Sequence, residues 1–323
     1  MKILALTFGD ERCASTHYRL LQYRMLMEAE DISLAYSPAK SFGDWDSLRD
    51  YDLVILQKTL LNCSKVSRLA RESKRFLYDA DDRIWLRPGK PYGLITRLRL
   101  TTRLRQICRS ADTCMAANGV IAEDLLSHGA APVVIPMSLD GNVWFPPEKR
   151  EGPFTIGWTG SPASLQYLEF IRHAMVASQR ACPEVRWQIH CGKDPAWEDL
   201  NYEHLPYAPG NEPETVRGFD IGLLPLPDGE FAQGKSPIKA LQYFASGAKV
   251  LASGVGTTVE LLDACPSAVN VSPPDAWLDA IKTAVQPSEN LRPPDWSARD
   301  AFRTHFERNV VFRKLLSILR PKT

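Results

Sequence analysis

The stretch that decides the fold is residues 219–253, FDIGLLPLPDGEFAQGKSPIKALQYFASGAKVLAS. The apolar run from Phe219 to Leu226 is short enough for a buried strand. Pro237 suits a first helical position because proline has no N–H to leave unpaired there. The helix that follows can end at Gly247. The stretch therefore predicts a strand, a loop and a helix, the unit from which parallel α/β sheets are built.

The loop before this helix has the composition of an anion site. A helix start offers unpaired N–H groups and the positive end of the helix dipole, and Lys235 adds an ammonium group. Phosphate or diphosphate is therefore the predicted ligand. Residues 229–236 also fit the P-loop pattern G-x-x-x-x-G-K-[ST]. Bulky residues such as Phe231 inside the loop, and the proline directly after it, argue against a P-loop ATPase.

Similar short apolar runs recur along the chain, with helical stretches between them. They are residues 3–8, 53–57, 76–78, 113–116 and 133–135, then 154–158, 185–190, 221–226, 249–252 and 268–271. This alternation predicts parallel α/β units in both halves. Helices are predicted from Ser164 to Ala181, from Ile238 to Ser246 and, with amphipathic spacing, from Trp296 to Leu319. Residues 273–294 are predicted to be irregular. Residues 142–153 are rich in proline and charge, which is typical of a linker.

We therefore expect an α/β protein with two doubly wound, Rossmann-like domains facing a central cleft. The first domain covers residues 1–150 and the second 151–297. Residues 298–323 form a C-terminal helix that could cross back to the first domain. In open α/β sheets, ligands bind outside the carboxyl ends of the strands, so the loops after the strands are the expected site.

Composition excludes several classes of protein. At 323 residues the chain suits two domains. A net charge of +1 argues against a general nucleic-acid binder. Seven cysteines without a C-x-x-C pair are typical of reduced thiols in a cytosolic protein. The first residues do not resemble a signal peptide, and no apolar run is long enough to span a membrane. We expect a cytoplasmic protein with no nucleic-acid partner.

Several loop segments occur in an order and spacing that is more specific than any one of them. They are ASTHYRLLQY (14–23), YDLVILQK (51–58), FLYDADDRIW (76–85), ADTCMAANGVIAEDL (111–125), VVIPMSLDGNVWFP (133–146), IGWTGSPASLQYL (156–168) and residues 219–253. Together they resemble the glycosyltransferases with the GT-B fold, in particular the retaining, nucleotide-sugar-dependent family 4. The resemblance covers nearly the whole chain.

The resemblance implies transfer of a sugar from a nucleoside diphosphate, UDP or GDP, to a glycan, lipid-linked or small-molecule acceptor. The second domain would bind the donor and the first the acceptor. The implied donor contacts are Thr159, Gly160, Ser161, Gly192, Gly234, Ser236 and Gln242. The implied acceptor contacts are Gly9, Tyr18, Arg19 and Asn118. Ordinary alternatives stay open, because Arg19 could lie on a helix surface and Asn118 could cap a helix.

Lys235 is the predicted catalytic cation, because a charge fixed beside the leaving diphosphate stabilises the transition state more than the ground state. Asp81 and Asp82 could orient acceptor hydroxyls or act as a base, or they could cap a turn. Neither their spacing nor that of the histidines predicts a metal site. The resemblance implies a sugar nucleotide as co-substrate, and no other cofactor is expected.

The sequence departs from the family pattern at one pair of positions. The family usually carries two glutamates eight positions apart, and alignment places Gly234 and Gln242 there. This absence leaves open a second hypothesis, a non-catalytic binding or scaffold protein with the same fold.

Residues 83–111 form a basic amphipathic stretch. It contains eight lysines or arginines and no acid. A basic amphipathic helix is typical of an element that lies on a membrane surface. A helix packed on its sheet with a solvated face of arginines explains the same pattern equally well. Peripheral contact with a membrane through this stretch stays an open alternative.

Overall fold

A computed structural model describes residues 1–285 and 291–320. The described chain divides into two compact units. The first comprises residues 1–138, 229–236 and 308–320, and the second comprises 139–228 and the described part of 237–307. The predicted boundary near residue 150 therefore lies inside the second unit.

The strands are short and mostly buried. In chain order they are β1 Lys2–Thr7, β2 Ser33–Pro38, β3 Leu53–Gln57, β4 Phe76–Ala80, β5 Thr113–Ala116, β6 Pro132–Val134, β7 Arg150–Glu151, β8 Thr155–Gly160, β9 Arg186–Cys191, β10 Glu203–Pro206, β11 Ile221–Leu224, β12 Lys249–Ala252, β13 Val269–Asn270 and β14 Leu291–Arg292.

Helices connect the strands. They are α1 Ala14–Arg19, α2 Arg24–Glu28, α3 Cys63–Glu72, α4 Leu94–Ser110, α5 Gly119–Ser127, α6 Leu165–Glu169, α7 Arg172–Ala181, α8 Glu212–Arg217, α9 Glu230–Gln233, α10 Ile238–Ala245, α11 Thr257–Asp263, α12 Trp277–Ala284, α13 Trp296–His305 and α14 Arg308–Leu319. Short 3₁₀ turns occur at Leu21–Tyr23, Asp46–Asp50, Pro162–Ser164 and Pro274–Ala276.

The first unit is built on a parallel sheet in the order β2-β1-β3-β4-β5-β6. Successive side chains of a strand point to opposite faces. Leu4 and Leu6 accordingly pack in one apolar core, and Ile3 and Ala5 pack in the other. Helix α14 supplies Val311, Phe312, Leu315 and Leu319 to the second of these cores. Both faces of the sheet are therefore covered, as in a doubly wound fold.

The second unit repeats this plan with a different strand order. Its parallel sheet runs β10-β9-β8-β11-β12-β13. A core including Ile156, Trp158, Ile189 and Trp277 packs against it. A separate antiparallel pair joins β7 to β14. The structure confirms the predicted class of two parallel α/β sheets.

Several predicted element bounds were wrong. The helix predicted from Ser164 to Ala181 is two helices, α6 and α7. The helix predicted from Trp296 to Leu319 breaks after His305, where the N–H groups of Phe306 and Glu307 both donate to Phe302 O. Helix α12 lies within the stretch 273–294, which the sequence predicted to be irregular. Pro237 precedes α10 as its cap residue rather than being its first residue.

Candidate functional site

The strand orders define where each sheet changes direction. In the first sheet β2 lies on one side of β1, and β3 and all later strands lie on the other side. The strand order therefore reverses between β1 and β3, which is the switch point of this sheet. In the second sheet the switch lies between β8 and β11. Loops at the carboxyl ends of strands diverge at such points and leave room for a ligand. The side chains there form the candidate site of each unit.

In the first unit the loop after β1 is fixed by Gln57 at the end of β3. Its Oε1 accepts hydrogen bonds from Phe8 N–H at 3.2 Å and Thr16 Oγ1 at 3.3 Å. Gly9 lies in this loop, and a Cβ there would come within 2.8 Å of Cys13 Cβ. The predicted acceptor residue Gly9 is therefore part of a rigid turn at the switch point.

Lys58 directly follows β3, and sequence reasoning did not single it out. Its Nζ donates to Asp82 at 2.5 Å, to Ser15 Oγ at 2.8 Å and to Asp81 at 3.3 Å. Burial lowers the pKa of Lys58, but the carboxylates of Asp81 and Asp82 outweigh burial and raise it overall. The predicted catalytic aspartates are thus held together by a buried cation.

The backbone of Lys58 is unusual, with φ at +44°. Such a conformation costs a residue with a side chain about 1–3 kcal/mol and is common at functional sites. The Lys58 N–H donates to Asp79 O at 2.7 Å, which holds this turn against β4. This strained turn aims the ammonium group at Asp81 and Asp82.

Arg19 lies at the end of α1 and is buried. Its guanidinium donates to both carboxylate oxygens of Asp79 and, at 2.6 Å, to Ile135 O. These donors of the Arg19 guanidinium are therefore already hydrogen-bonded within the protein. Tyr18 beside it is half-buried, with its ring 5.1 Å from that of His17. Contact of either residue with an acceptor stays a prediction.

Asn118 caps α5, since its Oδ1 accepts from Ile121 N–H at 2.9 Å. Its Nδ2 donates to Gly234 O at 3.0 Å. Ser236 Oγ donates to Asp81 O at 3.0 Å. Arg83 donates to Glu230 O and lies so close to Gly234 that a Cβ there would be 2.2 Å from Arg83 Cδ. The structure thus brings Gly234 and Ser236 together with Asn118 and Asp81 in the first unit.

Lys235 belongs to the same segment, with its ammonium 5.8 Å from the ring centre of Phe231. The preceding residues form the short helix α9, in which Gln233 N–H donates to Gly229 O, and Lys235 N–H donates to Ala232 O. A P-loop would present these N–H groups to phosphate. The local structure therefore contradicts the P-loop pattern.

In the second unit Thr159 ends a buried hydrogen-bond chain at the tip of β8. Its N–H donates to the hydroxyl of Tyr243 at 3.1 Å, and its Oγ1 donates to Glu212 Oε1 at 2.9 Å. The same Oγ1 lies 3.0 Å from His190 Nδ1, and His190 Nε2 lies 3.0 Å from Asn211 Oδ1. Burial lowers the pKa of His190. This chain fixes the turn that carries Gly160 and Ser161.

A lysine on α10 lies against that turn. Lys239 Nζ is 4.4 Å from the ring centre of Trp158, and a Cβ on Gly160 would be 2.4 Å from Nζ. Sequence reasoning missed Lys239, although its position three residues before Gln242 on a helix places both on neighbouring turns. Glycine at 160 is required for the ammonium group to approach the backbone.

The other predicted donor residues of this unit are less constrained. Ser161 Oγ is hydrogen-bonded to Ser164 Oγ at 2.9 Å. Gly192 is exposed after β9, and a Cβ there would lie 3.8 Å from Pro162 Cγ. Gln242 is buried, and its Oε1 has no hydrogen-bond partner within the described residues. An unpaired buried acceptor is costly, which makes Gln242 Oε1 a ready partner for a ligand hydroxyl.

Among residues 1–285 and 291–320, no group of three or more histidine, cysteine, aspartate or glutamate side chains is arranged to bind a metal. In the same part of the chain, no helix combines the length and apolar character needed to cross a bilayer.

Comparison by sequence finds no matching protein-family model and no matching curated protein. Comparison by structure finds matches over nearly the whole chain. HepE from Anabaena, in complex with UDP, is 14% identical with a TM-score of 0.68, covering 99% of both chains. Sucrose-phosphate synthase from Thermosynechococcus elongatus is 11% identical with a TM-score of 0.68, covering 99% of this chain and 98% of that one.

The lipopolysaccharide outer core galactosyltransferase WaaB, in its apo form, is 12% identical with a TM-score of 0.62, covering 99% of both chains. These neighbours share the GT-B architecture of two Rossmann-like units. The chain therefore has the GT-B fold, as its sequence resemblance implied.

Proposed function

We propose that the chain is a glycosyltransferase that moves a sugar from a nucleoside diphosphate to a glycan, lipid-linked or small-molecule acceptor. The observation that carries the proposal is the turn at the tip of β8, where Thr159, Gly160 and Lys239 meet at the switch point of the second sheet. The same fold in HepE was determined with UDP and with UDP-glucose. These structures support a UDP sugar as the first donor to test.

The donor diphosphate would bind at the β8 turn. There the backbone of Gly160 and Ser161 and the Lys239 ammonium offer donors and positive charge to phosphate. As the glycosidic bond breaks, negative charge grows on the leaving diphosphate, and a cation held in place beside it lowers the barrier. Gln242 Oε1 would accept a hydrogen bond from a hydroxyl of the sugar or ribose.

Lys235 stays a proposed catalytic cation, with Gly234 and Ser236 as proposed donor contacts. The hydrogen bonds from Asn118 to Gly234 O and from Ser236 to Asp81 O support a fixed conformation of this segment. Separate variants of Lys235 and Lys239 can assign the catalytic role to one or to both.

The acceptor would bind at the switch point of the first sheet. We propose that Asp81 and Asp82, kept together by Lys58, orient an acceptor hydroxyl, with Gly9 and Tyr18 beside them. Retention of configuration is part of the proposal, with the donor phosphate taking the acceptor proton. No protein base is then required, and the buried histidine His190 acts only as a support for Thr159.

We place the enzyme in the cytoplasm, with peripheral contact with a membrane through residues 83–111. Hexosyl transfer in the synthesis of a polysaccharide or glycoconjugate is the pathway class that we propose. No metal or cofactor beyond the sugar nucleotide is included in this proposal.

The first experiment is a thermal-shift panel of UDP, GDP, ADP and their sugar conjugates. Wild type is compared with Lys239→Ala, Lys235→Ala and the control Lys282→Ala, which removes an exposed lysine of the second unit. A ligand that binds only the folded state raises the melting temperature. Stabilisation by one sugar nucleotide, reduced in Lys239→Ala but kept in Lys282→Ala, supports the donor site. An unchanged melting temperature with every sugar nucleotide would contradict the proposal.

The second candidate function is a non-catalytic binding protein, favoured by the glutamine at position 242. The two candidate functions are distinguished by measuring whether the protein releases free nucleoside diphosphate from the sugar nucleotide that stabilises it. Release would support the glycosyltransferase. Binding without turnover, even with a range of acceptors, would favour the binding protein.

A further inference from the structure

Helix α4 exposes large apolar side chains in its first turns. Leu94 is 72% exposed, Ile95 is 84% exposed and Leu98 is 58% exposed. The second half of the same helix packs normally, with Leu104 and Ile107 fully buried in the core of the first unit. The first half therefore carries apolar surface that the described part of the chain leaves in solvent.

The exposed face continues into positive charge. Positions 94, 98, 105 and 109 are spaced by four, seven and four residues, which places them on one face of a helix. Arg105 and Arg109 are exposed, and they follow Leu94 and Leu98 along that face. We call Leu94, Ile95, Leu98, Arg105 and Arg109 the α4 patch.

The surroundings of the patch are basic as well. Arg87, Lys90, Arg97 and Arg99 are exposed, and the sequence from residue 83 to 111 contains no acid. The net charge of the whole chain is only +1. Residues 83–111 therefore carry a local excess of positive charge.

We propose that the α4 patch docks the first unit on an anionic lipid bilayer. Leu94, Ile95 and Leu98 enter the boundary between headgroups and acyl chains, while Arg105 and Arg109 pair with lipid phosphates. Aliphatic side chains next to arginines match the surface of a bilayer, which has an apolar interior and a layer of anionic headgroups. A nucleic acid would offer phosphates but no partner for these aliphatic side chains, so the patch favours a membrane.

The inference names the side chains and the kind of lipid for the membrane contact that is part of the proposed function. It rests on the proposed sugar transfer only for its consequence, which is that a lipid-linked acceptor is presented to Asp81 and Asp82 at the membrane surface. Docking itself depends on α4 alone. It can be tested without sugar nucleotide.

The test is sedimentation with vesicles of neutral phosphatidylcholine, and with vesicles that also contain one-quarter phosphatidylglycerol. The apolar variant is Leu94→Ser/Ile95→Ser/Leu98→Ser, and the basic variant is Arg105→Ser/Arg109→Ser. The matched control is Met25→Ser/Leu126→Ser, which removes exposed apolar side chains elsewhere in the first unit. Melting temperatures and the thermal shift with sugar nucleotide establish that each variant is folded.

We expect wild type and the control to bind anionic vesicles at least about 10-fold more tightly than neutral ones. Both patch variants should lose about 10-fold or more of that affinity, and added salt should weaken binding. No binding by wild type, or equal binding by the apolar variant, would overturn the inference. So would a wild-type dimer that the apolar variant converts to a monomer without any vesicle binding. Vesicle binding without a response to sugar nucleotides would overturn the proposed sugar transfer but leave the docking surface in place.

Discussion

The two sheets share one plan but carry different chemistry at their switch points. Each sheet has six parallel strands. The strand order reverses after the second strand of the first sheet and after the third strand of the second sheet, counted along the chain. At the first switch point Lys58 holds Asp81 and Asp82 together. At the second, a hydrogen-bond chain through Thr159 supports a turn that contacts Lys239. Sheet topology thus fixes the place of a site, and the loop residues decide its chemistry.

The largest expected effect tests the acidic cluster of the first sheet. Lys58→Met should lower the free energy of unfolding by about 3–5 kcal/mol, because it leaves the buried carboxylate of Asp81 and the partly buried carboxylate of Asp82 without their cation. Lys74→Met, which removes an exposed ion pair with Asp52, should cost about 0–1 kcal/mol. Denaturant unfolding measures both. Equal small losses would mean that Asp81 and Asp82 do not depend on Lys58.

The next prediction tests the cation of the second sheet. Lys239→Ala should reduce kcat by about 10²–10³-fold, the usual cost of one group that stabilises transition-state charge. Lys239→Arg should recover part of the activity, since it keeps the charge. Steady-state kinetics with the donor found by thermal shift measures this. An unchanged kcat in Lys239→Ala together with a large loss in Lys235→Ala would assign the role to Lys235.

A third prediction concerns packing behind the second switch point. Gly222 lies in β11, and a Cβ there would be 2.3 Å from the ring of Tyr243, whose hydroxyl accepts from Thr159 N–H. Gly222→Ala should lower the free energy of unfolding by about 1–3 kcal/mol through overpacking. Gly229→Ala is the control, because a Cβ at Gly229 has no neighbour within 4 Å. Similar stability of the two variants would contradict the close packing.

The smallest expected effect is a pH dependence. Burial lowers the pKa of His190 in the folded state, so the unfolded chain takes up the proton more readily. The free energy of unfolding should therefore fall as the pH drops below about 6.5, by less than about 1.4 kcal/mol per pH unit, and His190 should contribute no slope above that pH. Glu212 and His204 are the titratable groups whose charge acts on this ring.

Urea unfolding between pH 7.5 and 5 measures this slope. His190→Gln should reduce it, leaving the smaller slope that His17 contributes, since desolvation lowers the pKa of His17 as well. His173→Gln, at an exposed position of α7, should leave the slope unchanged. A slope that is not reduced in His190→Gln would assign it to another group.

Much of the fold could be predicted because its central strands are continuous apolar runs. Buried parallel strands such as β3 and β11 have this pattern, and it was found in both halves. The edge strands β2 and β10 were missed because their residues are partly exposed and mixed in polarity. The break between α13 and α14 was missed because the apolar spacing continues across it.

The site was predicted less completely, and for a different reason. Thr159 and Gly160 lie at the end of β8, where the sequence already suggests a turn. Lys58 and Lys239 were missed because nothing in their local sequence shows which carboxylate or glycine they contact. Those contacts join residues 24 positions apart for Lys58 and Asp82, and 79 apart for Gly160 and Lys239. Contacts over such distances depend on strand order, which one sequence does not specify.

The grouping of α14 with the first unit affects how the chain folds during synthesis. Four of its side chains fill a core that also contains Ile3 and Ile55, so that core stays unfinished until residues 308–319 have been made. The second unit is made up of residues that come before residue 308. On the ribosome, the half of the protein that is synthesised first is therefore expected to be the last to reach its native packing.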